Sequence, residues 1–174
     1  SLCKLKLKDL KNGFELYENR WKKNEPIKKK FQHIKYPNSL NEITKKKIII
    51  WDEQGLGDTL QFSRFVIDLL KFTDQITFVV NAKLSQILSS LNKNVLVTSY
   101  ENLVSENFDY QLPLCSLPKY LNIDSTDKIN FFTLNKKNKY ENNIFLDDKK
   151  FNIGVAWSGN KECFLDTYRS IPFR

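Results

Sequence analysis

Along residues 47–72 the spacing of hydrophobic positions changes from strand-like to helix-like. Ile48, Ile49, Ile50 and Trp51 form an unbroken apolar run, with lysines before it and acids and glycine after it. A short β-branched run of this kind predicts a strand buried on both faces, as parallel strands are. Gly55 and Gly57 follow and predict a tight turn. From Asp58 onward Phe62, Phe65, Val66, Leu69 and Leu70 fall on one helical face. Strand, glycine turn and helix together open a βαβ unit. In open α/β sheets ligands bind at the carboxyl ends of the strands, where this turn is expected.

The rest of the pattern is built around that unit. Upstream, Leu10, Phe14, Tyr17 and Trp21 share a face and predict a helix over residues 2–23. Gly13 interrupts it and marks either a close helix contact or a break. Residues 24–45, with Pro26, Pro37 and three consecutive lysines, read as a connector. Downstream, strands are predicted over 75–80, 95–97 and 108–112. Leu84, Ile87, Leu88 and Leu91 give a short helical face, and 114–121 a short helix with Pro113 near its start. Strands alternating with helical segments predict an α/β fold with a parallel sheet. Residues 123–150 are weakly patterned and read as a linker, with a short strand at 131–134 and a short helix at 140–146. A last strand is predicted over 151–157, ending in Ser158, Gly159 and Asn160.

Composition changes this picture little. The 174 residues are 41% hydrophobic and 13% aromatic, enough for one substantial core or for one domain and a piece of another. No run approaches the roughly 20 apolar residues that span a bilayer. The chain opens on Ser, without an apolar leader, and contains no Met. It is therefore expected to be part of a longer reading frame. The net charge of +8 comes from lysines spread along the chain, which argues for a solvated surface rather than a nucleic-acid interface. Cys3, Cys115 and Cys163 are widely spaced, and His33 is the one histidine. No zinc spacing or disulfide framework results, and a reducing, cytoplasmic compartment is expected.

The chemistry concentrates at the glycine turn. It is not a dinucleotide site: Leu60 stands where a third glycine belongs, and the next strand ends at Val80-Asn81 with no acid to hold a ribose. Asp58 would also oppose a phosphate at the helix start. Asp58 itself has two readings, which are compatible. It caps the helix, with Gln61 at capping-box spacing, or it is a general base at the mouth of the sheet.

The stretch WDEQGLGDTLQFSRF resembles the signature of the glycosyltransferase domain found behind tetratricopeptide repeats in bacterial proteins. That domain is similar to the ADP-heptose:lipopolysaccharide heptosyltransferases, which have the GT-B fold of two Rossmann-like domains. GFELYENRW is similar to the segment that ends the repeat array, DYQLPLCSLP to an acceptor-side loop, and GVAWSGN with DTYRSIP to the start of the second domain. The resemblance implies residues 1–24 as the terminal helix of an array, 25–46 as a connector, 47–147 as the acceptor-side Rossmann-like domain, and 148–174 as a linker with the first strand and turn of a truncated donor-side domain.

It further implies an inverting, metal-independent sugar transfer from a nucleotide-sugar donor to a glycan, a lipid-linked acceptor or a protein, with no cofactor and no metal. Gly57-Asp58 matches the family's Gly-Asp pair, which makes Asp58 the expected base. Gln54, Gly55, Leu56, Gly57, Thr59 and Gln61 complete the acceptor-side turn. Ser158, Gly159, Asn160, Arg169 and Ser170 are expected to meet the donor diphosphate, which a guanidinium suits. Phe164 and Leu165 depart from the basic residues usual before that loop. A peripheral place at the inner membrane and a protein partner bound through upstream repeats fit the same resemblance. The competing expectation is a non-catalytic nucleotide- or protein-binding module, with Asp58 only a cap. A third is a complete flavodoxin-like domain, with 151–157 as the last strand of one sheet.

Overall fold

The computed structural model describes residues 1–22, 30–104 and 107–129, together with residues 151, 153, 155, 158, 159, 170 and 171. The chain divides into two compact units, Ser1–Asn138 and Lys139–Arg174. The elements expected at 131–134 and 140–146 lie outside the described residues. Of the strand expected over 151–157, Phe151, Ile153 and Val155 are described, and all three are exposed.

The first unit is an α/β domain on a four-stranded, all-parallel, Rossmann-like sheet. Its strands are β1 (Ile48–Trp51), β2 (Ile76–Val80), β3 (Val95–Ser99) and β4 (Tyr110–Pro113), in the order β3-β2-β1-β4. β1 lies between β2 and β4, with Ile48 opposite Ile76 on one side and Tyr110 on the other. That central place explains its sequence: four large apolar residues, all fully buried. β4 begins two residues later than expected, because Asp109 turns its carboxylate onto the Lys47 N–H instead of entering the strand.

Side chains alternate across the sheet. Ile48, Ile50, Phe78, Val80 and Leu112 face the main core. It is closed by α3 (Leu56–Phe62), α4 (Arg64–Asp68), α5 (Ala82–Leu88) and α6 (Leu117–Tyr120), which contribute Phe62, Phe65, Val66, Leu84, Leu88 and Leu117. Ile49 and Val79 face the other way, into a smaller cluster with Ile34, flanked by Phe31, Tyr100 and Phe108. Among the described residues its members come from β1, β2 and loops. Residues 31–37 run beside β4, and the Gln111 N–H donates to the Lys35 carbonyl at 3.0 Å.

Three helical expectations are corrected. The helix over 2–23 is two helices, α1 (Leu2–Lys6) and α2 (Leu10–Tyr17), followed by a 3₁₀ stretch, Glu18–Lys22. Lys8, at φ 62°, breaks it. Gly13 is the close-contact alternative: a Cβ there would come within 2.5 Å of Leu5 Cδ2 and 3.1 Å of the Leu5 backbone nitrogen. The expected face survives the break. Leu10 and Phe14 are buried in the main core, and Tyr17 stacks on Phe62 at 6.2 Å between ring centroids. The helix expected from Asp58 onward likewise divides at Ser63, whose hydroxyl bonds back to the Leu60 carbonyl. Its last turn, Leu69–Lys71, is 3₁₀. The segment 114–121 is also mixed, a 3₁₀ turn at Leu114–Ser116 running into α6.

Candidate functional site

The turn after β1 sits at the carboxyl end of the sheet, as its place in the pattern requires. Its geometry differs from expectation. α3 begins at Leu56, with Gly55 as its N-cap at φ −67°. Neither glycine has a positive φ, so no left-handed turn is made. Asp58 is therefore the third helical residue and not the cap, and the Asp58–Gln61 capping box does not form. A Cβ at Gly55 would stand 3.4 Å from Asp58 Oδ2, an ordinary contact distance. At Gly57 a Cβ would meet nothing within 4 Å.

Asp58 is half-buried and makes no hydrogen bond or ion pair among the described residues. An acid in the first turn of a helix is favoured by the dipole alone. Its neighbours are secured. Thr59 is buried, and its hydroxyl donates to the Gly55 carbonyl at 3.1 Å. Gln54 Nε2 donates to the Tyr17 hydroxyl at 2.8 Å. Gln61 is exposed, and its carbonyl accepts from Arg64 Nε. Leu56 is exposed as well.

Two acids that the sequence pattern did not single out anchor this turn from below. Asp52 is buried, and its Oδ2 accepts the Asn81 N–H at 2.8 Å, which ties the ends of β1 and β2 together. Its Oδ1 accepts from the Tyr100 hydroxyl at 2.6 Å and from Lys30 Nζ at 3.3 Å. Burial and the charge of Asp52 push the Tyr100 hydroxyl far above its usual range. Lys30 Nζ also lies 3.6 Å from the Tyr100 ring centroid. These groups, with Gln54 and Gly55, line a cleft of about 400 Å³ over the ends of β1, β2 and β3.

Glu53 points the other way, towards the N-terminal helices and the loop after β4. Its side chain is fully buried, and that of Arg20 is 5% exposed. Glu53 Oε1 accepts from Arg20 Nη2 at 2.8 Å, Arg20 Nε at 3.2 Å and the Cys115 N–H at 3.1 Å. Oε2 is buried without a hydrogen-bond partner among the described residues. Arg20 also donates to Ser116 Oγ at 2.6 Å, to the Tyr17 carbonyl and to Glu18. Burial pushes the Glu53 carboxyl above its usual range, although Arg20 pulls it down. Burial opposes the Arg20 charge, but Glu53 and Glu18 outweigh it and raise the guanidinium. Burial, then the Glu53 carboxylate, pushes the Cys115 thiol far up; Asp58 adds a smaller share. No reactive thiolate results.

Comparison of the chain with models of known protein families, with curated proteins and with solved structures finds no match.

The donor-side residues belong to the second unit. There the Gly159 N–H donates to Ser170 Oγ at 3.0 Å, and Ser158 is exposed. The structure thus brings together two of the expected donor residues that are 11 positions apart. Asn160 and Arg169 lie outside the described residues. A larger cavity, about 790 Å³, is lined by Leu40, Asn41, Lys71 and Phe72, which precede β1 and β2. It lies away from the carboxyl edge where parallel sheets hold ligands, and its two lysines are paired with Asp68 and Glu15. The smaller cleft beside Gly55 is the candidate site. Among the described residues no His, Cys, Asp and Glu cluster is suited to a metal ion, and no helix is long and apolar enough to cross a membrane.

Proposed function

We propose that the chain carries the acceptor-side half of a GT-B glycosyltransferase that transfers a sugar from a nucleotide-sugar donor with inversion, and that Asp58 is its base. The observation that carries this reading is the state of Asp58. Its carboxylate is half-buried in the first turn of α3, after the central strand, with no described partner taking its lone pairs; Gly55 and Leu56 of the same turn line the cleft, while Asp58 itself does not. Asp52, by contrast, spends its lone pairs on donors, whereas those of Asp58 are left for an acceptor hydroxyl, in a first-turn position that the helix dipole already favours. The all-parallel sheet and the Gly57-Asp58 pair support the same reading.

In the reaction, Asp58 takes the proton of the acceptor hydroxyl as that oxygen bonds to the anomeric carbon. The bond from that carbon to the diphosphate oxygen breaks, and the nucleoside diphosphate leaves from the opposite face. The charge on the leaving diphosphate calls for a cationic donor, the role that the resemblance gives to Arg169. The acceptor is a glycan, a lipid-linked saccharide or a protein.

The test is nucleoside diphosphate release from ADP-, GDP- and UDP-linked sugars, by a protein in which the second domain is complete. Asp58→Asn is expected to cut turnover by about 10²- to 10⁴-fold and to lower stability by under about 1 kcal/mol. Equal turnover by the variant would remove the base role. Absence of turnover with every donor would favour a non-catalytic binding module.

A further inference from the structure

Two residues of the N-terminal helices hold two consecutive residues of the turn that carries Asp58. Tyr17 ends α2, and its hydroxyl accepts from Gln54 Nε2 at 2.8 Å. Arg20, one turn later, clamps Glu53 through Nε and Nη2. The Tyr17 ring also stacks on Phe62 of α3, with an interplanar angle of 6°. The segment therefore touches the β1–α3 unit on both sides of Gly55. Beyond Gly55 the helix start is held by Thr59, which is buried and bonds the Gly55 carbonyl, but not by the residues between them. Gly55 and Gly57 carry no side chains, Leu56 is exposed, and Asp58 has no described partner. The charge of Asp58 reaches back to the segment, since it helps to raise the Tyr17 hydroxyl, after the larger effects of burial and Cys115.

We propose that Tyr17 and Arg20 are positioning residues for the Asp58 carboxylate, so that the N-terminal helices form part of the catalytic apparatus and set its rate. The proposal rests on the reading of Asp58 as base. Its physical basis is the sensitivity of proton abstraction to placement. A shift of about 1 Å in a reacting group costs on the order of a hundredfold in rate, and the contacts of Tyr17 and Arg20 add to the hold that Thr59 gives this two-glycine helix start. Arg20 reaches the turn through Glu53, and Tyr17 through Gln54. Neither touches substrate in this scheme.

Two mild variants test it in the full-length protein. Tyr17→Phe keeps the stack on Phe62 and removes the hydroxyl that holds Gln54. Glu53→Gln keeps the shape, places an amide at the unpartnered Oε2 position and weakens the grip of Arg20. Each is expected to lower kcat about tenfold or more, with KM for the ADP-, GDP- or UDP-sugar that is turned over unchanged within about twofold. In parallel, amide hydrogen exchange of residues 54–59 should accelerate about tenfold while that of β2 stays constant. Unchanged kcat in both variants overturns the proposal, as does acceleration spread evenly over the sheet. If the parent protein turns over none of the donors, the glycosyltransferase reading fails by itself. The exchange data then decide alone whether the helices fix the turn, and unaltered exchange at 54–59 sinks that claim too.

Discussion

Single residues at this site divide into those with every bonding group engaged and those with a group left over. Asp52 has no spare capacity; Asp58 and Glu53 do, for different reasons. The Glu53 side chain is fully buried, one of its oxygens has no partner among the described residues, and its carboxyl is raised above the usual range. A raised carboxyl means that the folded state binds the proton more tightly than the unfolded state does. Its contribution is therefore fully present below the ordinary value near 4.5 and is lost as pH rises through the folded value. Glu53→Gln has no such proton. Urea unfolding from pH 4 upward should show the parent losing stability relative to the variant as pH rises, whereas parallel curves would mean that Arg20 fully compensates the charge. Gln111 is the opposite case. It is completely buried, its Oε1 accepts from Trp51 Nε1 at 2.9 Å, and its Nε2 donates to the Phe31 and Ile34 carbonyls at 2.7 and 2.6 Å. Gln111→Leu orphans all three groups and should cost about 3 kcal/mol in the same measurement; a loss under about 1 kcal/mol would show that these groups find other partners. Neither residue is legible as special in the sequence. A glutamine in an apolar run and a glutamate after a strand become informative once it is known which groups they reach, a backbone carbonyl 77 positions away and a guanidinium 33 positions away.

At the scale of elements, local pattern was a good guide to strands and a poorer one to helices. β1 lies where its apolar run places it, and β2 to within a residue, because a central parallel strand is buried on both faces and announces itself. β3 runs past its apolar triplet to Ser99, since ladder hydrogen bonds with β2 continue beyond the hydrophobic residues. The helices were read as continuous because their apolar faces are continuous. Their breaks at Lys8 and Ser63 come from backbone conformation and from a hydroxyl bonding the preceding turn, neither of which alters hydrophobic spacing. The glycine turn lies where expected, between β1 and α3. Neither Gly55 nor Gly57 has a positive φ, so neither serves a left-handed backbone; where a glycine is required among the described residues, it is for space. Gly13 makes the same point in a testable way. Gly13→Ala gains helix propensity of roughly 0.5–1 kcal/mol but drives a methyl group into Leu5. A net loss of about 1 kcal/mol is expected. Adding Leu5→Ala should give a double variant less destabilised than the sum of the two, and strict additivity would show that α1 does not rest on Gly13.

At the scale of the molecule, the N-terminal helices belong to the same compact unit as the sheet. Leu10 and Phe14 lie in the main core, and Arg20 neutralises a buried carboxylate. Deleting residues 1–22 should remove about 1.5–3 kcal/mol of burial for each of those two side chains and leave Glu53 unpaired at about 3–5 kcal/mol. Together these approach the whole stability of an ordinary domain, about 5–15 kcal/mol. The shortened chain should show no cooperative urea transition by near-ultraviolet circular dichroism. A sharp transition near that of the parent would make the helices an appendage. The fold class was legible from the sequence because alternation of strands and helices is a whole-chain pattern. The role of the first 22 residues was not, because a helix that ends an array and a helix that completes a core share one apolar face. The Arg20 clamp also bears on the order of synthesis. Arg20 meets Ser116 across 96 positions of chain, so at about 5–20 residues per second the first helices are made roughly 5–20 s before their partner exists. Helices of five and eight residues do not persist alone in water. Residues 1–22 therefore wait for the β4 loop during synthesis, with Leu10 and Phe14 open to chaperones until Arg20 can close onto Ser116.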